Sequence, residues 1–115
     1  MRKLSALVVT FAFAFAFAFL AGTSARAEDP TFRIEFKDGV VAPKRLEVPA
    51  RTRIVLELVN TGETPAEFES KELRKEKVLA PGASSSLVLR SLDPGEYQFF
   101  DDFHLDAPPS ILVAK

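Results

Sequence analysis

Beyond residue 30, apolar and polar residues alternate with a period of two. Phe32, Ile34 and Phe36 alternate with Arg33, Glu35 and Lys37, and Ile54, Leu56 and Leu58 with Val55, Glu57 and Val59. Such a pattern puts successive side chains on opposite faces and predicts half-buried strands. Leu46 and Val48 alternate before Pro49, Phe68 centres a short strand over 66–70, and 77–79 reads as another. Leu87 and Leu89 share a face over 85–90, an aromatic strand fills 96–101, and 110–114 forms the last. Turn signals separate the runs: Asp38-Gly39, Asn60-Thr61-Gly62, Pro81-Gly82 and Asp93-Pro94-Gly95. Short strands at this spacing predict an all-β sandwich or barrel. One stretch departs from the pattern. Residues 70–76 are charged and helix-compatible, and Glu72 and Glu76 stand four apart with bases between them. Seven residues do not make a stable isolated helix, so the stretch is expected to form a helical turn or loop across one end of the sandwich.

The first 27 residues follow a different logic. Arg2 and Lys3 precede an apolar run from Ala6 to Ala21, and Ala25-Arg26-Ala27 places small residues where a signal peptidase reads them. This is the form of a secretory signal peptide over 1–27, with the mature domain at 28–115. A spanning helix needs about 20 apolar residues, which this run does not reach. With a bacterial-type signal, the expected destination is the periplasm, and the mature chain is not expected to be membrane-embedded.

Removing that segment changes the charge. Three of the fifteen bases precede residue 28 and all sixteen acids follow it, so twelve bases face sixteen acids for a net charge of −4. A net acidic domain is a poor partner for nucleic acid. The chain has no Cys, one His, and no Met beyond Met1. Thiolate nucleophiles, zinc-thiolate sites, iron–sulfur clusters and blue-copper centres are therefore excluded. Neither a Gly-x-Ser-x-Gly nucleophile turn nor a phosphate-cradling glycine loop occurs, so a hydrolase is not expected.

The candidate chemistry falls in two places. Glu67 and Glu69 flank Phe68 and share a strand face. Asp101, Asp102 and His104 stand at the exit of the aromatic strand, with Asp106 beyond, and three residues separate Asp101 from His104. That spacing lets both turn toward one point. Carboxylates with one imidazole suit Fe, Mn, Zn or Cu(II) rather than Cu(I). An architectural role for the glutamates is the alternative: Arg74, Lys75 and Lys77 would neutralise them, and nearby cations would keep their pKa values depressed. Tyr97, Phe99, Phe100 and Phe103 read as core or loop-packing aromatics.

The segment Gly95-Glu96-Tyr97-Gln98-Phe99-Phe100-Asp101-Asp102-Phe103-His104 resembles the closing motif of cupredoxins, Gly-x-Tyr-x-(aromatic)-(aromatic)-Cys-x-x-His. Asn60 to Phe68 resembles the upstream Asn-x-x-x-x-Pro-His-x-Phe, and residues 38–43 and 46–50 resemble the opening strands. The resemblance implies a Greek-key cupredoxin-like β-sandwich. It also places Ala66 at the first His ligand, Asp101 at the Cys, His104 at the second His, and Ala107 or Pro109 at the axial Met. One ligand of the four survives, so type 1 copper is not expected. Glu67 to Ser70, Leu73 to Leu79 and Phe99 to His104 further resemble the small periplasmic EfeO-like cupredoxin proteins of bacterial iron uptake. That resemblance implies an iron or copper ion held by Glu67, Glu69, Asp101 and His104, with Asp102 as a further or supporting ligand. It implies at most a ferroxidase-like accessory activity, with an iron permease or periplasmic iron-binding protein as partner. The alternative is a metal-free adaptor that docks on a membrane permease or another periplasmic protein.

Overall fold

The computed structural model describes residues 28–115; the signal-peptide reading lies outside them. Nine strands occur among the described residues: β1 (Thr31–Lys37), β2 (Val40–Ala42), β3 (Arg45–Val48), β4 (Ile54–Asn60), β5 (Ala66–Ser70), β6 (Lys75–Leu79), β7 (Ser84–Leu89), β8 (Gly95–Asp101) and β9 (Ser110–Ala114). They form two mixed sheets, ordered β2-β1-β4-β7 and β3-β9-β8-β5-β6. The pairs β1–β4 and β3–β9 are parallel, and the other pairs are antiparallel. The fold is all-β, as the period-two pattern predicts.

The alternation explains how the sheets close on each other. In β4 every second residue, from Ile54 to Asn60, is buried. Leu56 faces Leu87 on β7 and Ile54 faces Leu89, so one apolar stripe crosses the first sheet. The second sheet answers with Phe68, Phe99, Leu112 and Leu79, each at most 2% exposed. Phe68 and Phe99 stack with ring centroids 5.5 Å apart. Fully burying side chains of this size stabilises a fold by about 1.5–3 kcal/mol each, and packing of this kind holds a chain without disulfides. Phe100 is half-buried on the outer face, and Phe103 is 50% exposed rather than packed.

One local feature differs from the sequence expectation. The stretch 70–76 is not helical, and no helix occurs among the described residues. Ser70 ends β5, residues 71–74 form a tight turn, and Lys75 and Glu76 already belong to β6. Leu73 N donates to Ser70 Oγ at 3.3 Å, Arg74 N donates to Lys71 O at 3.2 Å, and Arg74 takes a positive φ of 55°. Ladder pairing of Ser70 with Lys75 fixes the hairpin and overrides a weak local helix preference. Glu72 does not pair along a helix; its Oε1 accepts the Gln98 amide at 2.8 Å and ties the turn to β8. β2 falls within the 38–43 segment that resembles an opening strand, and follows Asp38-Gly39 as the return strand of a two-residue hairpin. Asp38 and Gly39 have φ of 45° and 92°, as a primed turn demands.

Candidate metal centre

Asp101 ends β8 on the same side of the sheet as Phe99, and it lies opposite Phe68 on β5. This parity drives its carboxylate inward, where it is 2% exposed. The group is satisfied from three directions. Oδ1 accepts the amides of Glu67 and Phe103, both at 3.0 Å, and Oδ2 lies 2.8 Å from His104 Nδ1. His104 N also donates to Asp101 O at 3.0 Å, folding the loop back over the strand end. A buried carboxylate needs such partners, because an unpaired one costs several kcal/mol.

The far side of the His104 ring meets the β1–β2 turn. A Cβ on Gly39 would stand 3.3 Å from Cδ2 of the ring, so the absence of a side chain there lets the imidazole lie against the turn. His104 Nε2 is 3.4 Å from Thr64 Oγ1. The Thr64 hydroxyl donates to Asp38 Oδ1 at 3.0 Å, and that oxygen also accepts the amides of Glu63 and Thr64 at 2.9 and 3.0 Å. The Glu63 amide, followed by the Thr64 hydroxyl, holds the Asp38 carboxyl below its usual pKa. Asp101, His104, Thr64 and Asp38 thus form a polar line across the rim. A shallow pocket of about 320 Å³ opens beside it, lined by Asp38, Gly39, Val40, His104, Asp106 and Ala107.

Glu67 and Glu69 lie elsewhere. The inward positions of β5 belong to Ala66, Phe68 and Ser70, so the two glutamates project from the outer face of the sheet. Glu69 pairs with Glu76 on β6, and Glu67, Glu69 and Glu76 bring carboxylate oxygens within 4.8 Å of one another. Partial desolvation, then repulsion from Glu76 and Asp102, raises the pKa values of both Glu67 and Glu69. The basic residues do not neutralise this group, contrary to the architectural alternative. Lys77 pairs with Phe68 and Lys75 with Ser70, so both bases point to the opposite face. Lys71 lowers the pKa of Glu69 only as the last of five influences.

The five residues named from the sequence therefore divide. Asp101 and His104 meet on the inner side at the rim, while Glu67 and Glu69 gather outside with Asp102 near them. The convergence of all four principal donors on one point is not what the fold provides, because Glu67 and Glu69 have the opposite strand parity from Phe68, the partner of Asp101. Sequence reasoning missed Glu76, Asp38 and Thr64. Glu76 was hidden by the helix-like spacing of 70–76, and its place across the hairpin from Glu69 emerges only in the fold. Asp38 was hidden by its role in the Asp-Gly turn.

The fold and site place the molecule among two-sheet sandwiches with a polar rim at one end. A sequence profile described as a cupredoxin-like domain matches residues 10–114; the chain belongs to that family. A relative, an uncharacterized protein of Rickettsia prowazekii (strain Madrid E), is 38% identical over 83 residues, covering 72% of this chain. The match spans 66% of the relative's own length. Among solved structures, dithionite-reduced auracyanin from Roseiflexus castenholzii is similar with a TM-score of 0.63 at 16% identity, covering 77% of this chain and 99% of that one. The metal-binding domain of the Cu(I)-exporting P-type ATPase CopA of Streptococcus pneumoniae D39, solved with Cu(I), gives 0.61 at 10% identity, covering 80% and 91%. These two likenesses establish the shared fold.

The residues present do not fit a type 1 copper ion. The chain has no cysteine, and such a site requires a thiolate. Asp101, at the position the motif gives to the thiolate, spends its oxygens on two amides and the His104 Nδ1 contact. The imidazole nitrogen nearest the interior is thus engaged by a carboxylate.

Proposed function

We propose that this chain is a periplasmic cupredoxin-like protein serving bacterial iron uptake, with iron as its cargo rather than a resident cofactor. Glu67, Glu69 and Glu76 hold the ion on the outer face of the second sheet, and Asp102 supports them. The carrying observation is the gathering of three carboxylates within 4.8 Å with no lysine or arginine in ion-pair contact among the described residues. Hard oxygen donors suit iron, and they hold Fe(III) more tightly than Fe(II). Bound Fe(II) would therefore pass an electron more readily to an external oxidant, which is the sense in which a ferroxidase-like accessory role fits. Export through residues 1–27 and delivery to an iron permease or a periplasmic iron-binding protein complete this reading. Asp101 and His104 close the rim in it.

Calorimetric titration of the purified protein with Fe(II), Cu(II) and Zn(II) tests the reading. The parent is expected to bind iron, and the Glu67→Gln, Glu69→Gln, Glu76→Gln variant to lose that binding. A parent that binds no iron would sink it.

A second reading is favoured by the Asp101–His104 contact. A sandwich whose former metal position is filled by an internal hydrogen bond can act as a metal-free adaptor docking on a permease. Iron-limited growth supported equally by parent and triple-glutamine variant would select the adaptor.

A further inference from the structure

We propose that His104 binds a borderline divalent cation, Zn(II) or Cu(II), through Nε2 at the mouth of the rim pocket, with Asp38 and Asp106 as the carboxylate donors. This site is separate from the outer glutamates and does not depend on the iron reading. It begins with the tautomer. In the neutral ring, Nδ1–H donates to Asp101 Oδ2 at 2.8 Å, which leaves the lone pair on Nε2. The neighbour there, Thr64 Oγ1, is 3.4 Å away and directs its one proton to Asp38 Oδ1. Nε2 is then an acceptor with no donor facing it among the described residues. An imidazole whose other nitrogen donates to a carboxylate is oriented and made more basic, which is how metal-binding histidines are supported.

The surroundings supply the remaining donors. Asp38 fixes its carboxyl through three hydrogen bonds, all to Oδ1, so Oδ2 is available. Asp38, His104 and Asp106 line one pocket of about 320 Å³ that is open to solvent. Gly39 lies beside the ring, where a Cβ would stand 3.3 Å from Cδ2, so the missing side chain leaves the imidazole room against the turn. Asp38 and Asp106 do not gather with Nε2 as tightly as the glutamates do with one another, and binding requires the exposed Asp106 side chain to turn toward the ring. One nitrogen and two oxygens, with water completing the shell, form a donor set suited to Zn(II) or Cu(II). The nitrogen used is the opposite one from the nitrogen turned toward the Asp101 position.

The chain has a single histidine, so imidazole NMR signals are unambiguous. The experiment adds Zn(II) to the purified, isotope-labelled protein and follows the His104 ring. Zn(II) is expected to shift the Nε2 resonance while the Nδ1 proton stays in place. Asp106→Asn, an exposed change that leaves the fold intact by circular dichroism, is expected to weaken this response on the order of tenfold. The Glu67→Gln, Glu69→Gln variant is expected to respond as the parent does. Ring signals unmoved by excess Zn(II), coordination through Nδ1 with loss of its proton, or an Asp106→Asn affinity equal to the parent's would each overturn the assignment.

Discussion

Asp101 Oδ2 and His104 Nδ1 stand 2.8 Å apart, with the carboxylate 2% exposed and the imidazole 28% exposed. The contact joins the end of β8 to the loop that follows, and Thr64 carries it on toward the β1–β2 turn. Removing the carboxylate orphans two amides and one ring nitrogen. Asp101→Ala is expected to destabilise the fold by about 2–4 kcal/mol, since buried donors lose their partner. Asp101→Asn keeps an oxygen for the Glu67 and Phe103 amides and should cost less. Urea unfolding of both variants checks the order. Equal losses would show that the two amide bonds to Oδ1 contribute nothing beyond the His104 contact, which both variants lose.

Acid and neutral pH act on opposite groups. The Asp38 pKa is lowered from 3.8, so its contribution to stability is present above that value and lost as pH falls through the folded one. Glu67 and Glu69 have pKa values raised from 4.5, so their contribution is complete below that value and lost as pH rises through the folded ones. Melting temperatures across this range should show Asp38→Asn costing stability near neutrality and little in strong acid. Glu67→Gln, Glu69→Gln should gain on the parent as pH rises above 4.5. A constant offset across pH would contradict both assignments.

Crowded like charges also make the outer face responsive to cations. Adding Fe(II) anaerobically should raise the melting temperature of the parent in a concentration-dependent way, because an ion that binds only the folded state stabilises it. The triple-glutamine variant should melt at the same temperature with and without iron. Chelation should return the parent to its starting value.

Gly62 is required by sterics alone. A Cβ there would lie 2.7 Å from both the Asp38 amide nitrogen and Asp38 Oδ1. Gly62→Ala must displace the β1–β2 turn or the loop after β4, at a cost of about 1–3 kcal/mol typical of overpacking. Thermal unfolding measures that cost. Chemical shifts of His104 should move as well, since Asp38, Thr64 and His104 are linked.

Much of this architecture was legible because strand alternation is a local property. β5 and β9 fall on the residues that the pattern marks, β1, β4 and β8 differ from it by one residue at an end, and β7 by one residue at each end. The hairpin at 71–74 was not legible, because the charged sequence satisfies helix spacing and only cross-strand pairing with β5 decides otherwise. The candidate site was legible as a roster and not as a geometry. Asp101 and His104 come together as their spacing implied. Glu67 and Glu69 share a face as their parity implied, but which face depends on Phe68 being claimed by the core. The same rule sends Lys75 and Lys77 away from the glutamates, which composition alone cannot reveal.

β5 serves both sides of its sheet at once, with Phe68 stacking inside and acids outside. A one-residue insertion or deletion within it would exchange these roles, sending carboxylates into the hydrocarbon interior and an aromatic ring into water. Change along this segment is therefore confined to point substitution. The charge of the outer surface can drift among descendants of this chain, while the length of the strand beneath it stays constant.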